Sequence, residues 1–293
     1  MIQKEIFTDK SNAYIQPFKT QLLKWVGNKQ RFAHEIASCF PSNYGTFIEP
    51  FMGSGAISAT FSPKKGIAAD KFKPIIEIFQ CLKNDPNELV KWYSERYEIA
   101  NGKNKKEGYE KIKDSYNKKP NGADLLFLCR SCYGGVVRFR KVDGYMSTPC
   151  GVHNPIKPNS FKERVYIWRE RMINIDFIHS GYEETMLNAK SGDIIYCDPP
   201  YTHSQGILYG GQDFSLTHLL EIIEECKNKG VYVALSIDGT KKSGSVNCEL
   251  PIPEGLFERE IFVNCGMSML KRFQMEGLTL ENEIVSDRLL LTY

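Results

Sequence analysis

The stretch DIIYCDPPYTHS at residues 193–204 sets Asp198, Pro199, Pro200 and Tyr201 directly behind a run of Ile and Tyr that reads as a buried strand. Proline gives up its backbone donor and fixes its own φ, so a doubled proline ends the strand and stiffens the turn after it. Such a turn can hold one carboxylate, one main-chain carbonyl and one aromatic ring around a small group. The plain alternative is an aspartate that only bonds the turn.

A second set of residues suits a ligand. In an open parallel sheet, ligands sit beyond the carboxyl ends of the strands, where glycine lets the backbone approach them. FIEPFMGSGA supplies Gly53 and Gly55 at such an end, and Asp70 closes the next strand, where a carboxylate can hold ribose hydroxyls. The full dinucleotide pattern GxGxxG is missing, and Asp70 could equally cap the following helix. A third set, Cys129-x-x-Cys132 with Cys150-x-x-His153, has the spacing of a four-ligand zinc site.

These residues need a frame. The spacing of Phe32, Ile36, Cys39 and Phe40 predicts a helix, GTFIEP a short buried strand, GSGAISATF a helix, KGIAAD a strand ending at Asp70, and KPIIEIFQCL another helix. This alternation argues for a parallel sheet. It breaks at Asp85-Pro86-Asn87-Glu88, a capping-box helix start running to about Tyr97, followed by a lysine-rich tract, the helix ADLLFLCR and the irregular basic stretch from Ser131 to Asn159. Alternation resumes after the helix FKERVYIWRERM with strand INIDFIHS, helix YEETMLNA, strand DIIYC, helix LTHLLEIIEECKNKG and strand VYVALSID; REIFVNCGMSM and DRLLLTY read as a closing antiparallel pair. Residues 1–85 and 172–293 are thus expected to form one sheet domain, with 86–171 inserted into it.

The bulk properties fit this frame. The 293 residues are 42% hydrophobic and 25% charged, ordinary for a globular protein. No apolar run reaches membrane-spanning length, and the N-terminal residues lack the apolar core of a signal peptide, so a cytoplasmic protein without membrane contact is expected. Nine cysteines then fit a reducing compartment. The net charge is only +3, but residues 130–171 hold nine Lys or Arg against three acids, a local +6, which leaves −3 for the rest. A basic segment on a chain otherwise acidic favours an anionic partner bound at one place.

In this order, LLKWVGNK, FIEPFMGSG, AADKFKPII and IIYCDPPY resemble the Dam-like DNA adenine-N6 methyltransferases over nearly the whole chain. The form CYGG, VRFR and GYMSTP is most similar to the modification methylases of FokI-type restriction systems. The resemblance implies a Rossmann-like S-adenosylmethionine-dependent methyltransferase sheet, mostly parallel with an antiparallel C-terminal hairpin. A mainly helical DNA-recognition domain is inserted at 86–171. It also implies site-specific transfer of a methyl group from S-adenosylmethionine to the N6 amine of a flipped-out adenine. The implied partner is double-stranded DNA, shared with a cognate restriction endonuclease that forms no stable complex, and the implied state is a monomer.

Carried over by position, the resemblance assigns S-adenosylmethionine contacts to Trp25, Lys29, Glu49, Phe51, Gly53, Gly55, Asp70, Phe72, Tyr182 and Asp198, and catalysis to Asp198, Pro199, Pro200 and Tyr201. DNA contacts fall to Arg130, Tyr133, Arg138, Arg140 and Lys141. The chain departs from the family at Asn28 and Gly134, and at Gly181, which replaces an acid. Cys129 and Cys150 stand where the family has other residue types, so no metal is expected. Two other functions compete: a methyltransferase acting on another amine, in RNA or protein, and a non-catalytic DNA-binding module.

Overall fold

The computed structural model describes residues 3–6, 15–102, 104–200, 214–238, 240–241, 246–247, 252–266 and 285–293. Its centre is an eight-stranded sheet. In chain order its strands are β1 (Gln3–Ile6), β2 (Phe47–Glu49), β3 (Gly66–Asp70), β4 (Ile175–His179), β5 (Ile194–Cys197), β6 (Tyr232–Asp238), β9 (Arg259–Gly266) and β10 (Val285–Leu291). The order is β1-β9-β10-β6-β5-β2-β3-β4. Strands β4, β3, β2, β5 and β6 run parallel, while β10 is antiparallel to both β6 and β9. The expected closing antiparallel pair is therefore present, and β7 (Thr240–Lys241) and β8 (Val246–Asn247) form a separate small ribbon.

The sheet has one topological consequence for a ligand. From β2 the chain builds outward through β3 to β4, then returns to lay β5 on the other side of β2. The carboxyl ends of β2 and β5, at Glu49 and Cys197, thus flank a switch point, where an open sheet leaves a crevice. Strands β2 and β5 are buried along their whole length, as expected where helices cover both faces.

Helices α1 (Ala33–Ala37), α2 (Ala56–Phe61), α3 (Lys73–Asn84), α8 (Tyr182–Leu187) and α9 (Leu216–Asn228) connect these strands. Only the second turn of the predicted helix around Phe32 forms, so α1 is short. Between α3 and β4 lie α4 (Pro86–Ala100), α5 (Lys105–Lys118), α6 (Gly122–Ser131) and α7 (Pro158–Met172). Asp85 caps α4 by accepting the Glu88 N–H at 3.0 Å, as its capping box predicts. Asn104 caps α5, which places the lysine-rich tract on a helix. All of α6 is buried. Ile75, Ile78, Phe79 and Leu82 of α3 share one continuous core with Leu89, Tyr93, Tyr109, Tyr116, Leu125 and Phe127 from the inserted helices. Among the described residues, no helix is long and apolar enough to cross a membrane.

Candidate active site

Three strand ends and one preceding loop converge. The chain after β2 turns through Gly53, at φ 48°, and Gly55, at φ 67°, both in the left-handed region that only glycine enters without strain. Gly53 donates its N–H to Asp70 Oδ2 at 2.9 Å, and Phe72 donates its N–H to Asp70 Oδ1 at 2.8 Å. The two bonds lock the carboxylate at the end of β3 and leave each oxygen capacity for a further donor. Gly55 is placed differently: it starts α2, and a Cβ there would stand 3.0 Å from the Phe79 ring and 3.1 Å from Met172. It serves close packing beneath the loop.

A cleft of about 520 Å³ opens over these ends, a size suited to a small organic molecule. Trp25, Lys29, Glu49, Phe51, Gly53, Asp70, Phe72, Tyr182, Asp198 and Pro200 all line it, so most of the residues expected to bind one ligand share one wall. Two aromatic groups frame the space. Trp25 stacks on Phe72 with centroids 5.9 Å apart, and Phe51 stacks on Tyr182 at 5.0 Å with Phe214 edge-on to both. Pro199 follows Asp198 in the same turn, and Tyr201 lies outside the described residues.

The charges are concentrated. Lys29, only 5% exposed, sets its ammonium 3.2 Å from Asp198 Oδ1. Glu49, 2% exposed, accepts from the Ser58 N–H at 3.2 Å and from the Ser58 hydroxyl. Burial pushes the Glu49 carboxyl up to about 8, with Asp198 and Asp70 acting the same way against the Ser58 bonds. Burial also raises Asp70, which the Phe72 and Gly53 N–H groups pull back. The cleft wall thus carries three carboxyl groups and one ammonium, which suits a ligand that brings positive charge.

The loop carrying Trp25 and Lys29 is held from behind by an unexpected residue. Arg130 was expected on a DNA-facing surface; instead it is 7% exposed, and its Nη1 donates to the carbonyls of Leu22 at 2.7 Å and Gln21 at 3.1 Å. Arg164 donates to Gln21 O at 3.1 Å and Trp168 to Thr20 O at 3.0 Å. Arg130 therefore clasps the chain that leads into the cleft. The physical reason is its position on α6, a helix buried all round.

The other basic candidates stay outside. Ser147 and Gly144 donate to the Arg138 and Arg140 carbonyls at 2.9 Å each, and Phe139 bridges Met146, forming a short hairpin over 138–147. Arg138, Arg140 and Lys141 are exposed, and Tyr133 is 48% exposed at its foot. Arg140 pairs with Asp143 and lies over the Tyr145 ring at 4.3 Å. The turn also presents Val142, 98% exposed, which no motif in the sequence marks.

The cysteine spacing does not converge on a metal site. The backbones of Cys132 and Cys150 form an isolated antiparallel bridge, the Cys129 thiol lies 3.3 Å from Leu126 O, and among the described residues no three His, Cys, Asp or Glu side chains group as metal ligands. Burial pushes the Cys129 thiol up to about 11 and the Cys132 thiol up to about 12.

Residues 25–250 match the family model for D12 class N6 adenine-specific DNA methyltransferases. The type II methyltransferase M.FokI of Planomicrobium okeanokoites is 28% identical over 244 residues, 79% of this chain and 37% of its own length. The DNA adenine methylase of Vibrio cholerae is 27% identical over 230 residues, 73% of this chain and 79% of its own. The retron Ec67 DNA adenine methylase of Escherichia coli is 27% identical over 232 residues, covering 75% and 77%. The chain thus spans about a third of the length of the first relative and most of the other two.

Proposed function

The chain belongs to the D12 class N6 adenine-specific DNA methyltransferases, and from that premise we propose that its cleft binds S-adenosylmethionine and methylates the N6 amine of an adenine turned out of duplex DNA at one recognition site. The observation that carries this reading is the Asp198 carboxylate, held by Lys29 at 3.2 Å at the mouth of the turn Pro199-Pro200, in the same cleft as Asp70 and Gly53.

The residues fit the cofactor by chemistry. Asp70, with spare acceptor capacity on both oxygens, would hold the ribose hydroxyls. Glu49 and Asp198 would face its cationic groups, and the rings of Trp25, Phe72, Phe51 and Tyr182 would pack its flat and apolar parts. When bound, S-adenosylmethionine supplies a methyl group on an electron-poor sulfonium.

The chain's own residues then prepare the amine. An exocyclic adenine amine is a poor nucleophile because its lone pair is delocalised into the ring. Asp198 accepts one amine hydrogen and the Pro199 carbonyl the other, which favours a pyramidal nitrogen with its lone pair free to attack in line. The Lys29 bond fixes the carboxylate's orientation, and the two prolines fix the carbonyl's. No strong base is needed, since the nitrogen becomes acidic once alkylated. Turning the base out costs a few kcal/mol.

In this reading the chain works as a monomer, as the modification partner of a restriction endonuclease that meets the same site without a stable complex. Arg138, Arg140 and Lys141, exposed on one hairpin beside Tyr133, contact the duplex. Arg138→Ala or Arg140→Ala is expected to lower the slope of log affinity against log salt by about one unit if the contact is to phosphate. A contact to a base edge would instead relax discrimination at one base pair by roughly 1 to 3 kcal/mol. If neither quantity moves, the DNA face lies elsewhere.

The whole reading is tested by modified-base sequencing of DNA from a methylation-free host expressing the chain. N6-methyladenine confined to one short sequence is expected. Unmodified DNA, or methyl groups on cytosine, would reject it.

A further inference from the structure

Ser58 lies on α2 and is 0% exposed, an unfavourable place for a hydroxyl unless it is bonded. A serine inside a helix commonly returns its hydroxyl to the carbonyl four residues back, as Ser94 does to Val90 O at 2.8 Å and Ser131 to Phe127 O at 2.7 Å. Ser58 bonds a different group. Its N–H, at 3.2 Å, and its hydroxyl both donate to Oε2 of Glu49 at the end of β2. Neither bond uses Oε1, and Glu49 lines the cleft. The charged groups that share this wall are Asp70 at the end of β3, Asp198 just past β5, and Lys29, whose ammonium faces Asp198 at 3.2 Å. Burial opposes a charge on Glu49, as do both of these acids, while the two Ser58 bonds favour it.

We infer that Ser58 is a positioning residue acting through Glu49: its two donors hold Oε2 and leave Oε1 as the oxygen that meets a cationic group of the cofactor. This rests on the reading that the cleft takes S-adenosylmethionine. A hydroxyl donates more strongly to a carboxylate than to the neutral acid, so losing it disfavours the charged form that faces a cation. Ser58→Ala removes the hydroxyl alone and keeps the N–H bond; alanine suits a buried helix and adds no volume. The free wild-type protein keeps the Glu49 proton up to about 8, and the variant should keep it to higher pH. A cation entering the variant's cleft must then displace a more tightly held proton. The resulting loss of affinity is complete below about pH 8 and shrinks above it, as the variant too gives up the proton.

The test measures S-adenosylhomocysteine binding by calorimetry at several pH values for the wild-type protein and Ser58→Ala. Comparing the two proteins at each pH cancels the ligand's own titration. The variant is expected to bind about tenfold more weakly at about pH 6.5, with the ratio approaching one as the pH rises well past about 8. In the Glu49→Gln background, where no proton is at stake, Ser58→Ala should give no pH-dependent deficit. Denaturant unfolding without ligand reads the same bond: wild-type stability should stop falling with pH at about 8, and that of Ser58→Ala should go on falling above it. A deficit of equal size at every pH makes Ser58 a packing residue and overturns the inference. So do coincident unfolding slopes beside normal binding to the wild-type protein. If S-adenosylhomocysteine does not bind the wild-type protein at all, the cofactor reading has failed and the inference falls with it.

Discussion

Asp198→Asn is expected to leave the protein folded and to slow methylation of a cognate duplex by at least about a hundredfold, the loss expected on removal of one preorganised group. The side chain stands just past the end of β5, 18% exposed, and none of the core clusters contains it. Its substitution therefore creates no cavity. Asparagine keeps the size and one acceptor oxygen, but it presents an NH2 donor where the proposed mechanism gives the adenine amine an acceptor. It also loses the charge opposite the Lys29 ammonium at 3.2 Å. Asp198→Ala is less clean, because it strips a buried lysine of this counter-charge without putting any acceptor in its place, and breaking a buried pair commonly costs roughly 3 to 5 kcal/mol. The deciding measurement is the single-turnover rate at saturating cofactor, beside a thermal melt of each variant. If Asp198 only bonds the turn, substitution costs roughly 1 kcal/mol of stability and little rate. A folded Asn variant methylating near the wild-type rate rejects the mechanism.

The residues at strand ends were legible in the sequence because a buried parallel strand announces itself twice, by its apolar run and by the Gly or Pro that stops it. Glu49, Asp70 and Asp198 each close such a run, and the structure brings all three into one cleft. Charge was a poorer guide. Arg130 belongs to the basic segment by composition, yet it directly follows LLFLC, five apolar residues in a row. Five successive apolar residues cover every side of a helix, so this one is buried all round and its arginine turns inward to backbone carbonyls. Cysteine spacing likewise states what could converge without saying what does. The contributions of Tyr116, Pro120 and Phe139 to the cleft were not legible, since they depend on how the inserted helices dock on α3, which no local pattern encodes.

Glu49 gives the second large effect, read as the dependence of stability on pH in the absence of cofactor. The folded protein keeps this proton up to about 8, because burial disfavours the carboxylate, whereas the unfolded chain loses it near the ordinary 4.5. Between those values the folded state binds more protons than the unfolded state, so stability falls as pH rises. The contribution is complete below about 4.5 and gone above about 8. A displacement of that size corresponds to something on the order of 5 kcal/mol across the window. Glu49→Gln keeps the shape and an acceptor for the Ser58 N–H but cannot ionise, so it should lack this slope and gain on the wild type progressively from about pH 5 to about pH 8. Denaturant unfolding at several pH values checks this; parallel curves for the two proteins would place Glu49 in a wetter site than the structure shows. The cofactor supplies the sign of a second arm. Cationic groups beside Glu49 favour its charged form, so saturating S-adenosylhomocysteine, whose ammonium remains, should flatten the wild-type slope and release protons on binding below about pH 8, a release that the Gln variant should lack. A buried glutamate that is costly to ionise alone and easily ionised beside a cation thus gives the cleft a reason to prefer a positively charged ligand.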